Sequence, residues 1–193
     1  MKQAYKLFNI DNYQKISDDI YNYVVNHTEI LKVKTTVFYN DVPPTHIVQH
    51  VPSLKQFLDD NFLTPTLTAV IVVPPDEKNN LHVDSIDPYV RILWPVRNCQ
   101  GSLTKLFDVP RECLESDFYP VGSTGIFYRI VETRDWPLIA EIELSQPILI
   151  DVSIAHEVYP APNATEPRIS FTVGFGRDLA ISKSIKSWFG FQR

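Results

Sequence analysis

The sequence predicts a mainly β fold, a sandwich or jelly roll of two sheets with the leading helices laid over one of them. Three observations predict it. After Pro65 the chain breaks into short runs rich in β-branched and aromatic residues, separated by turn residues such as Pro and Asn. Before Pro65 the apolar residues recur instead at helical spacing. Nowhere do strands and helices alternate as a parallel βαβ sheet requires.

In chain order, residues 11–26 carry Ile16, Ile20, Tyr23 and Val24 at spacings of three and four after a polar Asp11-Asn12 start, so an amphipathic helix is expected there. A second, shorter helix fits Ser53–Phe62. Strands are expected over Thr66–Val73, Tyr89–Trp94, Ser102–Phe107, Gly125–Val131, Leu138–Leu144, Ile148–Ile154 and Arg168–Phe175. The connection from Leu106 to Gly125 carries Asp108, Arg111, Glu112, Glu115 and Asp117. Its length and polarity suggest a lid that sets specificity. Asp178–Phe189 puts Ile181, Ile185, Trp188 and Phe189 on one helical face, with Lys183 and Lys186 elsewhere. That favours packing on the barrel, with contact to a membrane or a partner as the alternative and pairing of two copies left open.

At 193 residues and 44% apolar content, one domain spanning residues 1–193 can bury a core and still hold an internal site. The longest apolar run, Ala69–Pro75, is far short of the roughly 18 residues of a membrane span. The first residues lead into Asn9, Asp11 and Asn12 rather than an apolar stretch, so a cytoplasmic location is expected and the sequons at Asn26 and Asn163 carry little meaning. Cys99 and Cys113 are too few for a disulfide framework and are read as reduced thiols. A net charge of -5 argues against a general affinity for nucleic acid. Neither of the glycine-rich phosphate loops occurs, and Gly122-Ser123-Thr124-Gly125 is not a nucleophile elbow. His46 and His50 have the spacing of a zinc protease helix, but Ile47 stands where that motif needs its Glu. Pro43, Pro44 and Pro52 also leave no room for a long helix.

Chemistry concentrates elsewhere. His82 and Asp84 are two apart in Leu81-His82-Val83-Asp84, and in a strand residues i and i+2 share a face, so an imidazole and a carboxylate project together. With 5 His and 23 acidic residues in 193, such a pair arises by chance roughly 0.6 times per chain, so it needs context. Context comes from His156, at the end of an apolar strand, and from Arg168-Ile169-Ser170-Phe171-Thr172-Val173-Gly174-Phe175. There Arg168, Ser170, Thr172 and Gly174 fall on one face and the apolar residues on the other. Either the polar face meets water, or the helices cover the apolar face and Arg168 points inward, where its guanidinium fork can take a carboxylate in bidentate fashion.

The order H-x-D, a distant His, then R-x-S resembles the iron(II)- and 2-oxoglutarate-dependent oxygenases, whose fold is the double-stranded β-helix, a cupin-like jelly roll. The resemblance is strongest over Asn79–Gly101, NNLHVDSIDPYVRILWPVRNCQG, and Pro147–Phe175, PILIDVSIAHEVYPAPNATEPRISFTVGF. It implies that His82, Asp84 and His156 bind iron(II), and that Arg168 with Ser170 holds the distal carboxylate of the cosubstrate 2-oxoglutarate. It further implies a dioxygenase that hydroxylates a substrate while releasing succinate and carbon dioxide, the metal and cosubstrate supplying the reactive chemistry.

Asn98 is a further candidate, as a donor to the metal-proximal carboxylate of the cosubstrate. Arg91 or Trp94 would line the pocket, but alternation allows only one of them to face it, and a buried Arg91 would need an acidic partner such as the substrate, Asp84 or Asp151, whereas an exposed one needs none. The substrate expected is a small molecule or a peptide rather than nucleic acid. Two rivals stand beside the oxygenase: a cupin-type metal protein with other chemistry, which would not need Arg168 and Ser170, and a non-catalytic jelly-roll binding protein, which would bind no iron.

Overall fold

The computed structural model describes residues 4–26, 37–40, 45–84, 89–114, 117–120, 127–132 and 134–175. The chain opens with strand β1 (Tyr5–Leu7), helix α1 (Tyr13–Val25), strand β2 (Val37–Asn40) and helices α2 (Thr45–His50) and α3 (Pro52–Asp60). Strands follow: β3 (Leu67–Val73), β4 (His82–Val83), β5 (Val90–Arg97), β6 (Leu103–Phe107), β7 (Tyr119–Pro120), β8 (Phe127–Ile130), β9 (Leu138–Glu143), β10 (Ile148–Asp151), β11 (Ala155–Tyr159) and β12 (Arg168–Gly174). They form two antiparallel sheets, ordered β1-β10-β5-β12-β3-β2 and β7-β8-β4-β11-β6-β9. This is a jelly roll. Most strands neighbour partners distant in sequence, so each sheet is assembled from both halves of the chain.

The helices lie on the first sheet for reasons visible in their spacing. In α1, Ile16, Ile20 and Val24 stack one turn apart on a buried stripe. The Ser17 hydroxyl beside them donates to the Pro95 carbonyl at 2.6 Å, fixing α1 to β5. Helix α3 opens on Pro52, which has no N–H to leave unpaired in the first turn, and buries Leu54, Phe57 and Leu58. Opposite them stand the outward-facing residues of the sheet, Ile92, Trp94 and Val96 from β5 and Ile169, Phe171 and Val173 from β12, all in one apolar cluster with the helices. Trp94 is fully buried, with its ring edge-to-face against Phe57 at 5.3 Å.

The other face of this sheet meets the second sheet. Leu93 of β5 and Ile148 and Ile150 of β10 pack with Leu106 of β6 and Ile142 of β9. Strand β12 is buried on both faces along its whole length, so Arg168, Ser170 and Thr172 sit between the sheets rather than in water.

Some elements differ from the sequence reading. The run expected as one strand over Ile148–Ile154 is interrupted at residues 152–154. β10 belongs to the first sheet and β11, which carries His156, to the second. His156 is therefore inside a strand and not at the end of one. The described part of the expected lid is not a free loop: Val109 and Leu114 pack on the outer face of the second sheet against Leu81, Val83, Val131 and Ala155, and β7 pairs with β8 at the sheet edge. Between the prolines, α2 forms as a helix of 6 residues. The helix expected over Asp178–Phe189 lies outside the described residues. Among the described residues no helix is long and apolar enough to cross a membrane.

Candidate metal centre

Strand β4 is only two residues long, yet it lies in the middle of the second sheet between β8 and β11. Its register pairs His82 directly with His156. Directly opposed antiparallel residues share a face, so the two imidazoles project side by side, with ring centroids 4.4 Å apart. Asp84 follows on the same face and is pinned by its backbone N–H, which donates to the Val152 carbonyl at 3.0 Å. The interruption between β10 and β11 thus serves two ends: it moves the chain from one sheet to the other and anchors the carboxylate. His82, Asp84 and His156 each offer one ligand atom, and these atoms all lie within 4.8 Å of one another.

The hydrogen bonds orient both rings. His82 Nδ1 is 2.6 Å from the Asn80 carbonyl, and His156 Nδ1 is 2.9 Å from the Ile154 carbonyl. A carbonyl can only accept, so each Nδ1 carries the hydrogen, and in the neutral ring the lone pair is on Nε2. A histidine that binds a metal through Nε2 needs this tautomer.

The charges are arranged to match. Burial opposes ionisation of Asp84, but the Arg91 guanidinium and the hydrogen bond from His82 outweigh it and hold the carboxyl well below the usual carboxylate range. Arg91 Nη1 donates to Asp84 Oδ2 at 2.6 Å, and His82 Nε2 lies 3.4 Å from Oδ1. One carboxylate oxygen is thus taken by the guanidinium, and the other faces the imidazoles. His156 is pushed down to about 4 by burial and by the charge of His82 beside it, so it is neutral near neutral pH. Burial also opposes a charge on His82, but Asp84 reverses the balance and its pKa is raised.

Arg91 therefore faces the site and Trp94 faces the helices, with Asp84 as the acidic partner that a buried Arg91 requires. Arg168 is 3% exposed and its Nε donates to the Ser102 hydroxyl at 3.0 Å. Its Nη2 and the Ser170 hydroxyl oxygen, both buried, find no hydrogen-bond partner among the described residues. Unsatisfied buried polar atoms are costly, and a cationic fork beside an unpaired hydroxyl is a donor set suited to a carboxylate. Asn98 is not part of this group. It is exposed, with φ 54°, and its amide donates to the Pro167 carbonyl at 2.9 Å and to Glu166 at 3.1 Å, so it has no amide proton left for a ligand near the metal ligands.

Two contributors escaped the sequence reading. Tyr128 of β8 sets its ring edge-to-face against His82 at 5.6 Å, with Tyr119 of β7 beside it at 5.9 Å, so an aromatic wall flanks the imidazoles. The second is Ser102. Tyr128 could have been found from its strand alternation once β8 was paired with β4. Ser102 meets Arg168 only in three dimensions and has no local signal.

No protein-family model matches the sequence, and no curated protein matches it either. Solved structures do. The chain is similar to HygX from Streptomyces hygroscopicus, a structure with nickel and 2-oxoglutarate bound, at TM-score 0.55 and 14% identity, over 91% of this chain and 83% of that one. It is similar to a prolyl-4-hydroxylase from Pseudomonas putida at TM-score 0.51 and 12% identity, over 90% and 92% of the two chains. A third likeness is to AviO1 from Streptomyces viridochromogenes Tue57, at TM-score 0.50 and 11% identity over 92% and 91%. At such identities the likeness is one of fold, and the chain has the jelly-roll architecture that these proteins share.

Proposed function

We propose that the protein is an iron(II)- and 2-oxoglutarate-dependent oxygenase acting on a small-molecule or peptide substrate, with His82, Asp84 and His156 as the metal ligands. The observation that carries this reading is the convergence of two imidazoles and one carboxylate, each oriented by a separate hydrogen bond, with a proton on the His82 Nε2 to be released when a metal binds there. Two imidazoles and one carboxylate on one side of a metal suit iron(II) and leave coordination sites for other ligands. Arg168 and Ser170 are the groups to hold the distal carboxylate of 2-oxoglutarate, since their unpaired buried atoms lack only an anionic acceptor. The fold is like that of a protein solved with 2-oxoglutarate bound, which supports the cosubstrate proposed but names no residue.

When bound, the metal and cosubstrate supply the oxidation: dioxygen is consumed, 2-oxoglutarate becomes succinate and carbon dioxide, and a substrate C–H becomes C–OH. The chain's own residues bind, orient and shield. Arg91 keeps Asp84 ionised and occupies its second oxygen. The carbonyls of Asn80 and Ile154 fix the two rings. Leu93, Leu106 and Ile142 close the inter-sheet space to water around the polar groups.

Succinate formation from 2-oxoglutarate, measured with iron(II) and oxygen and screened with candidate substrates for stimulation, tests the proposal. Turnover is expected at a low rate without substrate, and Arg168→Ala is expected to weaken cosubstrate binding tenfold or more, on the order of the 1.5–3 kcal/mol of a charged hydrogen bond, while sparing the metal. No succinate under any condition, or an Arg168→Ala variant indistinguishable from the unaltered protein, contradicts it.

A further inference from the structure

The turn that joins the two sheets between β5 and β6, residues 98–102, closes around Arg168. It is built to bend sharply: Asn98 and Gly101 both take positive φ, 54° and 75°. Asn98 is among the non-glycine residues that tolerate this region best, and glycine meets no steric cost there. The contacts from this turn toward β12 fall on Arg168, on the residues at either side of it and, from the Asn98 amide at 3.1 Å, on Glu166. The Asn98 amide donates to the carbonyl of Pro167, one residue before Arg168, at 2.9 Å. The Cys99 thiol reaches the carbonyl of Ile169, one residue after, at 3.1 Å. The Ser102 hydroxyl accepts the Nε–H of Arg168 itself at 3.0 Å and gives its own hydrogen to the Cys99 carbonyl at 2.6 Å. Ser102, Cys99 and Arg168 are all buried.

The pairing of β12 with β5 shifts register between Ile169 and Ser170, next to this grip. The extra residue, Val96, is on β5, while β12 keeps an unbroken register with β3 in which Arg168 stands opposite Val73. Without the turn, β3 would still hold the Arg168 backbone, but the long side chain would be free to change rotamer and carry its guanidinium away from this position. With it, Nε is spent on Ser102 and the outer edge of the fork, where Nη2 is unpaired, is left presented.

We propose that Asn98, Cys99 and Ser102 are positioning residues for Arg168, a clamp that pre-sets the guanidinium for the second carboxylate of a dicarboxylic keto acid. This rests on the reading of Arg168 as the anchor for the distal carboxylate of 2-oxoglutarate. The clamp lowers the cost of ordering the side chain at binding, so its loss weakens affinity without touching the ligand directly. It also gives Asn98 a role at the carboxylate end of the cosubstrate, by way of Arg168.

The test is an anaerobic titration of the iron(II)-loaded protein with 2-oxoglutarate and, separately, with pyruvate, which lacks the second carboxylate, following the visible charge-transfer band of an iron-chelated keto acid. Ser102→Ala is expected to weaken 2-oxoglutarate binding about tenfold, Asn98→Gly, which keeps the backbone conformation, about threefold, and Ser102→Thr to restore most of the loss. Pyruvate and iron(II) affinities should not change in any of them. A merely structural role would lower the melting temperature or weaken both keto acids alike, and either result without a selective loss for the dicarboxylate overturns the clamp. Should Ser102→Ala not fold, the exposed Asn98→Gly decides alone. A band in the unaltered protein with unchanged variants sinks only the clamp; no band in the unaltered protein sinks the oxygenase reading and the clamp with it.

Discussion

Asp84 is held between a guanidinium on one oxygen and an imidazole on the other, and the energetics of the site follow from that position. Removing Arg91 would strand a buried carboxylate without its counter-ion. Arg91→Met is therefore expected to destabilise protein stripped of metal by about 3–5 kcal/mol in urea unfolding, and a divalent metal to return part of the loss by supplying another cation. An unchanged midpoint, or a loss that metal does not touch, would contradict this role. His156 gives a pH signature. Its pKa falls from 6.5 in the unfolded chain to about 4 in the fold, through burial and the charge of His82. The unfolded chain takes up that proton first, so the stability owed to the neutral ring is complete above pH 6.5 and drains as pH falls toward about 4. Depression of the Asp84 pKa acts with the same sign, but only below the ordinary carboxylate value of 3.8. In metal-stripped protein, the stability difference between pH 7 and pH 4.5 is expected to shrink in His156→Gln; an equal difference in both proteins would refute the assignment.

The first sheet is the scaffold that keeps these residues in place, and its helix-facing side is where stability concentrates. Trp94→Ala would remove a fully buried indole that meets Phe57 edge-to-face and would leave a cavity under α1 and α3. The expected cost is about 3–5 kcal/mol in denaturant unfolding, and a loss under 1 kcal/mol would contradict the packing. Much at this scale was legible in the sequence. The alternation from Arg168 to Gly174 and the spacing of Ile16, Ile20 and Val24 are repeats with a period, and both correspond to observed faces. Strand β4 has too few residues to show a period, and β11 reads on from β10 because both are apolar. Only pairing with β4 and β6 shows that His156 belongs to the other sheet. The candidate metal ligands and Arg168 were visible because residue type and order mark them. The hydrogen bonds of Asn98 to Pro167 and of Arg168 to Ser102 have no local signal in the sequence, because the partners lie 66–69 residues apart.

At the scale of the whole molecule, the candidate site exists only because two sheets are closed over each other. His82 and His156 come from facing positions on neighbouring strands of one sheet, while Arg91, Arg168 and Ser170 come from the other. The apolar contacts of Leu93 with Leu106 and Ile142 hold that seam shut, so metal ligation and carboxylate binding depend on one shared packing. The most direct measurement mixes anaerobic protein with iron(II) and 2-oxoglutarate and records the visible spectrum. A weak charge-transfer band that needs both components and vanishes in His82→Ala is expected; a colourless mixture at saturating concentrations would contradict the central claim that these side chains form one iron site able to chelate a keto acid.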